Sequence, residues 1–416
     1  MQPSVSLEIG PELIDPDCYA RDGYPHEIFR LLRKESPVHW YTAGPMPFWA
    51  ITKHADIVEI SRQPGLFSSR PHFQIVVNAA FGSDDEREPE TIIQMDPPEH
   101  RQYRELISRR FTPRALDSVE AALEPVADEI LSKLENEGRV GECDFVDKIA
   151  APFPMAVISW LLDVPREDWP LLYEWSNAVA VPNDPDHQQA GESAHEARLR
   201  ASKNLYDYFL ELADERREGN SDDLVGLLSR AQVGGQRLDA NILGSYYLLL
   251  IVAGNETTRN ALSGGLQALI ERPALWEELV ADPSPAKIAQ ATEEILRWST
   301  PVANMARTAT RDTELRGQKI RAGETVALFY ASANRDEDVF PDPFEFRLDR
   351  KSNPHLSFGI GEHFCVGAHL ARIEIRCMLG RLLARCERFE AAEPATRLPA
   401  SSVGGLKTLP VRYAFR

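Results

Sequence analysis

The stretch Phe358-Gly359-Ile360-Gly361-Glu362-His363-Phe364-Cys365-Val366-Gly367 constrains this 416-residue chain more than any other. Two glycines precede a cysteine, a third follows it two residues on, and a helical pattern then runs from about Val366 to Cys386. Glycine permits a tight turn and close approach of backbone to a bulky ligand. A cysteine at a helix N-terminus meets free N–H groups and the positive end of the helix dipole, which favour the thiolate. A thiolate in a dry pocket suits a soft metal or a haem iron. Read by itself, such a turn more often holds an inert buried thiol. Zinc bound by His355, His363, Cys365 and His369 is a further reading, but the spacing fits no usual zinc pattern and no Cys-x-x-Cys pair exists.

The rest of the chain reads as mostly helical with a minor β component. Val38-His-Trp-Tyr and Phe48-Trp-Ala-Ile-Thr look like two strands around Ala43-Gly44-Pro45. Residues 68–95 read as irregular, with an acidic patch at Asp84-Asp85-Glu86. Asp96-Pro97-Pro98-Glu99 reads as a helix start with Asp96 as cap. Helical patterns follow at about 118–136, 143–163, 168–180, 190–218, 222–231, 239–270, 273–281 and 284–298. Strand-like segments then lie at 314–321 and 325–329. A length prior of about 150 residues per domain would give about three domains. No linker or repeat divides the chain, so a single domain over 1–416 is expected, with a β-containing part at 1–95 and a helical core at 96–416.

Charge and cysteine usage narrow the function classes. Lys plus Arg number 46 and Asp plus Glu 64, a net charge of −18, which argues against a nucleic-acid binder. The five scattered cysteines suit free thiols in a reducing compartment. The first ten residues show neither a basic nor an apolar signal region, and the longest clean apolar run is Tyr246 to Ala253, well short of the ~20 residues of a membrane span. The expectation is a cytoplasmic protein with no membrane anchor.

Three further constellations carry chemistry. Glu294-Ile-Leu-Arg297 sets an acid and a base at i, i+3 on one helix face, which alone is an ordinary ion pair. Ala253-Gly254-Asn255-Glu256-Thr257-Thr258 places locally unfavourable residues inside a long apolar helix, the mark of a kink or of a functional groove. His100 and Arg104 share a face at i, i+4; alone, that is a solvated basic face.

Phe358, Gly361, His363, Cys365 and Gly367 fill every fixed position of Phe-x-x-Gly-x-His-x-Cys-x-Gly. The chain therefore resembles the cytochrome P-450 family, and the likeness extends from Asp96 to the last helix. It implies a triangular, α-rich fold with a long helix crossing the haem, and haem b ligated through iron by Cys365. It implies that Phe358, Gly359, Gly367 and Ala253 lie against the haem, and that His100, Arg104, Arg307 and His363 hold its propionates. Glu294 and Arg297 become a structural pair that locks onto Arg350 or its neighbours. Thr257 is implied to hydrogen-bond the oxygen being activated, and Glu256 to relay protons from solvent. Substrate-facing positions fall at Phe73, Val76, Val77, Phe81, Leu249, Val252, Val302 and Val403, all apolar.

The implied activity is a monooxygenase using O2, with electrons from an acidic ferredoxin and its reductase. Arg109, Arg110 and Arg114, with Arg372, Arg376, Arg381, Arg385 and Arg388 on the last helix, read either as solvated faces or as a basic docking patch. Asn255, where macrolide-hydroxylating members usually carry His, favours sterol, terpenoid or alkyl substrates. A secondary-metabolite tailoring oxidase, a peroxygenase and a non-enzymatic haem-thiolate sensor stay as alternatives.

Overall fold

The computed structural model describes residues 7–75, 91–219 and 221–416. Several of its helices begin where the sequence supplies caps. Asp239 accepts from the Ile242 N–H (2.9 Å) at the head of the longest, and Ser193 with Glu196 forms a reciprocal capping box at another. The helices are α1 (Pro16–Asp22), α2 (His26–Glu35), α3 (His54–Ser61), α4 (Glu99–Ser108), α5 (Pro113–Glu137), α6 (Pro152–Leu161), α7 (Trp169–Ala180), α8 (Ala194–Arg216), α9 (Leu224–Arg230), α10 (Ala240–Ile270), α11 (Pro273–Ala281), α12 (Pro285–Ser299), α13 (Tyr330–Ala333) and α14 (Ala368–Arg385). The strands are β1 (Val38–Tyr41), β2 (Phe48–Ile51), β3 (Phe67–Ser68), β4 (Val140–Asp144), β5 (Gln232–Val233), β6 (Gln236–Arg237), β7 (Asn304–Ala309), β8 (Thr313–Leu315), β9 (Gln318–Ile320), β10 (Thr325–Phe329), β11 (Cys386–Ala391), β12 (Thr396–Arg397), β13 (Leu406–Thr408) and β14 (Pro410–Phe415). Val76, Val77, Phe81 and the acidic patch at 84–86 lie outside the described residues. Among the described residues, no helix is long and apolar enough to cross a membrane.

The main sheet has the order β1-β2-β10-β7-β3. β10 is buried at all five positions, pairs parallel with β2 and antiparallel with β7, and its continuous apolar run suits a central strand. A second sheet has the order β11-β14-β4, and its strand β11 packs against α10 and α14. The largest apolar core joins Leu123 and Leu131 of α5, Phe153 of α6, Phe209 of α8, Tyr247 and Leu266 of α10 and Ile375 and Leu379 of α14.

Two expectations are corrected. The pattern at 143–163 is not one helix: β4 occupies 140–144, where Cys143 pairs with Val411 of β14. The Asp144 carboxylate accepts from the N–H groups of Val146 (3.0 Å) and Leu409 (2.8 Å), ending the strand, and a π-helical turn at Val146–Ala150 leads into α6. Asp96 does not cap α4, which starts at Glu99 behind Pro98. Its carboxylate accepts from the Ser69 N–H (2.8 Å) and from the Ser68 hydroxyl, donors from a distant strand that outcompete the local helix end.

α12 fixes the segment leading to the cysteine loop. Arg297 donates to both oxygens of Glu294 (2.8 and 2.7 Å), Arg350 Nε reaches both as well (3.1 and 3.0 Å), and the Arg347 N–H (2.8 Å) and the Asn353 amide (3.1 Å) complete the set. Arg297 also donates to the carbonyls of Asn334, Pro343 and Glu345. Next to it, Glu293 accepts from Arg372 of α14 (2.7 and 2.9 Å) and hydrogen-bonds His355 (3.1 Å).

Glu294→Gln keeps the shape but leaves two buried guanidinium groups uncompensated. It is expected to lower unfolding free energy by about 3–5 kcal/mol in chemical denaturation; a loss below about 1 kcal/mol would mean that the cluster is neutral to stability. Burial pushes Glu293 up, but the hydrogen bonds from His355 and Arg372 outweigh it and hold the carboxyl at about 2. A depressed folded value means that this contribution is complete above the unfolded value near 4.5 and is lost as pH falls through about 2. Glu293→Gln should therefore flatten the stability curve across that acid window, and an unchanged acid limb would refute the assignment.

Candidate active site

The cysteine loop is built by two glycines in the left-handed region, Gly359 at φ +65° and Gly361 at φ +79°. A Cβ on Gly361 would stand 2.3 Å from the Ser61 carbonyl oxygen, so α3 requires glycine there as much as the backbone angle does. A 3-10 turn at Gly361–His363 follows, and the Cys365 N–H returns to the Phe358 carbonyl (2.9 Å). Cys365 thus precedes α14, whose N-cap is Gly367. Burial pushes its thiol up, while the Gly367 N–H, Arg104 and Arg372 pull it down. The residue is nevertheless accessible, as is Phe364 beside it. Phe358 is held by the Arg372 guanidinium, 4.6 Å over its ring, and by ring contacts with His355 and Phe364.

α10 carries the second accessible surface. Between 243 and 262 its side chains are buried except those of Leu249, Val252, Ala253 and Thr257. That spacing of i, i+3, i+4 and i+8 is one helix face. The helix runs unbroken through the motif; the Thr257 hydroxyl bonds back to the Ala253 carbonyl (2.8 Å). Glu256 is buried, its Oε2 is 2.5 Å from Arg259 Nη2, and its Oε1 has no hydrogen-bond partner. Burial pushes its carboxyl up and Arg259 opposes the shift. Arg259 reaches Asn177 of α7 (3.2 Å), and Asn255 reaches Ser176 (3.3 Å). Glu256-x-x-Arg259 has the same spacing as Glu294-x-x-Arg297, so the sequence itself carries the signal of this second ion pair. Val302 and Val403 meet as an isolated β-bridge, and the Ala306 N–H donates to the Phe73 carbonyl (2.7 Å).

The four basic residues expected around an anion converge. The His100 and His363 rings lie 4.1 Å apart between centroids, and His363 shares a hydrogen bond with Ser69 (3.0 Å). Burial drives His363 down to about 2, reinforced by Arg307, His100 and Arg104. Burial also lowers His100, Arg104 and Arg307. Arg307 donates to the Ala306 carbonyl and Arg104 to that of Phe364, but neither has an ion pair among the described residues. His100 Nδ1 is buried without a hydrogen-bond partner. Two guanidinium groups without an ion pair, beside an imidazole whose nearest carboxylate, Glu362, stands 3.9 Å off and makes no hydrogen bond to it, fit a group that brings its own carboxylates. The accessible thiol and the shallow Ala253 face fit its flat body. The residues present therefore suit haem.

Zinc finds no such support: among the described residues no cluster of His, Cys, Asp or Glu could hold a metal ion, and His355 is engaged by Glu293. Most of the basic cluster expected on the last helix is engaged in ion pairs. Arg372 binds Glu293, Arg381 binds Asp128, Arg385 binds Asp128 and Glu135, and Arg388 lies near Glu390. Acids remote in sequence neutralise Arg372, Arg381 and Arg385, whereas Arg388 lies in β11 and not on the helix, and Arg376 has no ion pair among the described residues. Arg109 pairs with Glu105 (3.0 Å) and Arg110 with Asp222 (3.3 Å), both at the surface.

Comparison with known proteins agrees with this geometry. The cytochrome P450 family profile matches residues 18–282 and 288–413. A methyl-branched lipid omega-hydroxylase of Mycobacterium tuberculosis is 36% identical over 426 residues, covering 99% of this chain and 96% of that protein. A steroid C26-monooxygenase of the same organism is 36% identical over 428 residues, covering 100% and 95%. A Mycobacterium marinum cytochrome P450 solved with pseudoionone superposes with a TM-score of 0.89 at 34% identity over 99% of both chains. The thiol loop, the helix face opposite and the full-length likeness lead to one family: the chain is a cytochrome P450, a haem protein of the monooxygenase kind.

Proposed function

We propose that the chain hydroxylates a C–H bond of a lipophilic small molecule of the alkyl-lipid, sterol or terpenoid kind, using haem b held through Cys365. The observation that carries this reading is the accessible α10 face, where a single hydroxyl, Thr257, stands among the apolar side chains of Leu249, Val252 and Ala253. When bound, the haem supplies reductive O2 activation and C–H oxidation, with the thiolate favouring O–O cleavage. Arg104, Arg307, His100 and His363 would hold the propionates. Phe358, Gly359 and Gly367 shape the loop around the thiol, and Ala253 leaves room on the other side. Leu249, Val252, Val302 and Val403, with Phe73, exclude water and hold the substrate by burial alone.

Thr257 and Glu256 divide the proton work. Thr257 offers a hydroxyl at the cleft while its own proton rests on the Ala253 carbonyl. Glu256 holds a proton more firmly than an exposed glutamate and is restrained by Arg259, so passing that proton inward needs a change in this ion pair or an enclosed water at the free Oε1. Lipid and steroid hydroxylases among the relatives support the substrate class. Electrons come from an acidic ferredoxin with its reductase. The docking surface rests on Arg109 and Arg110, whose pairs are exposed and weak, and less on the engaged arginines of α14.

The test uses the haem-loaded protein. Lipophilic compounds from the three classes are titrated while the Soret band is followed, and those that shift it are incubated with ferredoxin, reductase and NADPH. At least one class is expected to bind and to give a hydroxylated product; binding with no oxidised product from any class would overturn the reading. Cys365→Ala should abolish the thiolate-type spectrum of the reduced carbon monoxide adduct, whereas Cys18, Cys143, Cys377 and Cys386 should each be replaceable. Thr257→Ala should keep substrate binding and reductant use but release more peroxide and less product. Unchanged coupling would remove Thr257 from the proton path.

A further inference from the structure

A groove of about 820 Å³ lies between α4, α9 and the β5-β6 hairpin, and neither the cysteine loop nor the accessible face of α10 lines it. Its volume falls within the range of about 300–1,000 Å³ usual for small-molecule sites. Gln102, Glu105, Leu106 and Arg109 recur at i, i+3, i+4 and i+7 and so form one face of α4 and its C-terminal end. His100 and Arg104 fall on the opposite face at helical spacing. The helix therefore stands between the groove and the basic residues grouped around His363. The other wall is built by Leu227 and Arg230 of α9, then by Ala231 and Val233. The hairpin that carries Val233 is free of packing at its turn: Gly234 and Gly235 have φ +59° and +80°, and a Cβ on either would meet no atom within 4 Å.

The lining has an apolar floor and a basic rim. Leu106, Leu227, Ala231 and Val233 are all part-exposed. Around them stand three guanidinium groups, Arg109, Arg110 and Arg230, against two carboxylates, Glu105 and Asp222, which leaves one positive charge in excess. Arg230 donates to the carbonyls of Arg216 (3.0 Å), Gly219 (3.1 Å) and Ser221 and has no ion pair among the described residues. Arg109 meets Glu105 (3.0 Å) and Arg110 meets Asp222 (3.3 Å) at the surface, where the Arg109 side chain is 83% and that of Asp222 98% exposed. Exposed pairs of this kind contribute little and exchange partners readily. An open apolar floor beneath such a rim matches an amphiphile with an alkyl chain and a singly charged head. A carboxylate head takes two parallel N–H donors from one guanidinium, and one excess positive charge balances it. We propose that the groove binds a free fatty acid, its chain along Leu106, Leu227 and Val233 and its carboxylate on Arg109 and Arg110 in place of Glu105 and Asp222. One consequence rests on the ferredoxin reading given above. Arg109 and Arg110 cannot serve a fatty acid and an acidic ferredoxin at once, so a filled groove slows electron delivery.

Calorimetric titration of decanoate into the haem-loaded protein, its cleft already filled by a haem-coordinating azole, reads the groove alone, provided that the Soret band of the azole complex stays fixed. One saturable site is expected for decanoate, with decanol bound about tenfold more weakly or less. The double variant Arg109→Ala/Arg110→Ala should lose about tenfold in decanoate affinity with little change for decanol. Val233→Glu, which sets a carboxylate in the floor on a hairpin free at its turn, should lose at least as much. No saturable heat, or wild-type affinity in both variants, would overturn the proposal. The competition is read by stopped-flow reduction. Decanoate should raise several-fold the ferredoxin concentration that gives half the maximal rate in wild type, but not in Val233→Glu. The same concentration with and without decanoate in wild type would remove the competition. Reduction of the arginine double variant at the wild-type rate without decanoate would instead remove these arginines from ferredoxin docking, and calorimetry would still decide the groove.

Discussion

A buried carboxylate, Glu294, is the constraint on which the proximal half of the structure depends. An ionised carboxylate out of water is tolerable only when its lone pairs are taken and opposite charge stands close. Glu294 meets both conditions with Arg297, Arg350, the Arg347 N–H and the Asn353 amide. Because three of these donors come from residues 347–353, satisfying one carboxylate folds a stretch with little regular structure against α12. The constraint is then handed on. Arg297 donates to the Asn334 carbonyl, and the Asn334 side chain bonds Thr300, Ser357 and the Leu356 N–H, which fixes the entry to the cysteine loop. Glu293 grips the other side through Arg372 at the start of α14. Two adjacent glutamates thus hold both flanks of Cys365.

How far the sequence reveals this depends on the range of each interaction. The cysteine loop is readable because its requirements are local: left-handed glycines, a thiol and a helix start within ten residues. The α10 motif is readable because polar residues are conspicuous in an apolar helix, and the paired strands at 38–51 because a turn joins them. What stays hidden is set by partners remote in the chain. Asp96 looks like a cap until Ser68 and Ser69 claim it. The α14 arginines look free until Asp128, Glu135 and Glu293 fold onto them. Cys143 looks helical until β14 supplies an edge to pair with. Asn334 carries no pattern of its own, and only packing gives it meaning.

The helical period arranges the chemistry of α10. Thr257 lies on the accessible face, and its two neighbours in sequence fall about 100° to either side and are buried. Glu256 has a guanidinium 2.5 Å away, so loss of water raises its hold on a proton while Arg259 limits the rise. Arg259 is in turn anchored to Asn177 of α7. Any displacement of α7 away from α10 would loosen that anchor, free the guanidinium and change the affinity of Glu256. The proton affinity of this acid is thus tied to the helix that covers this side of α10.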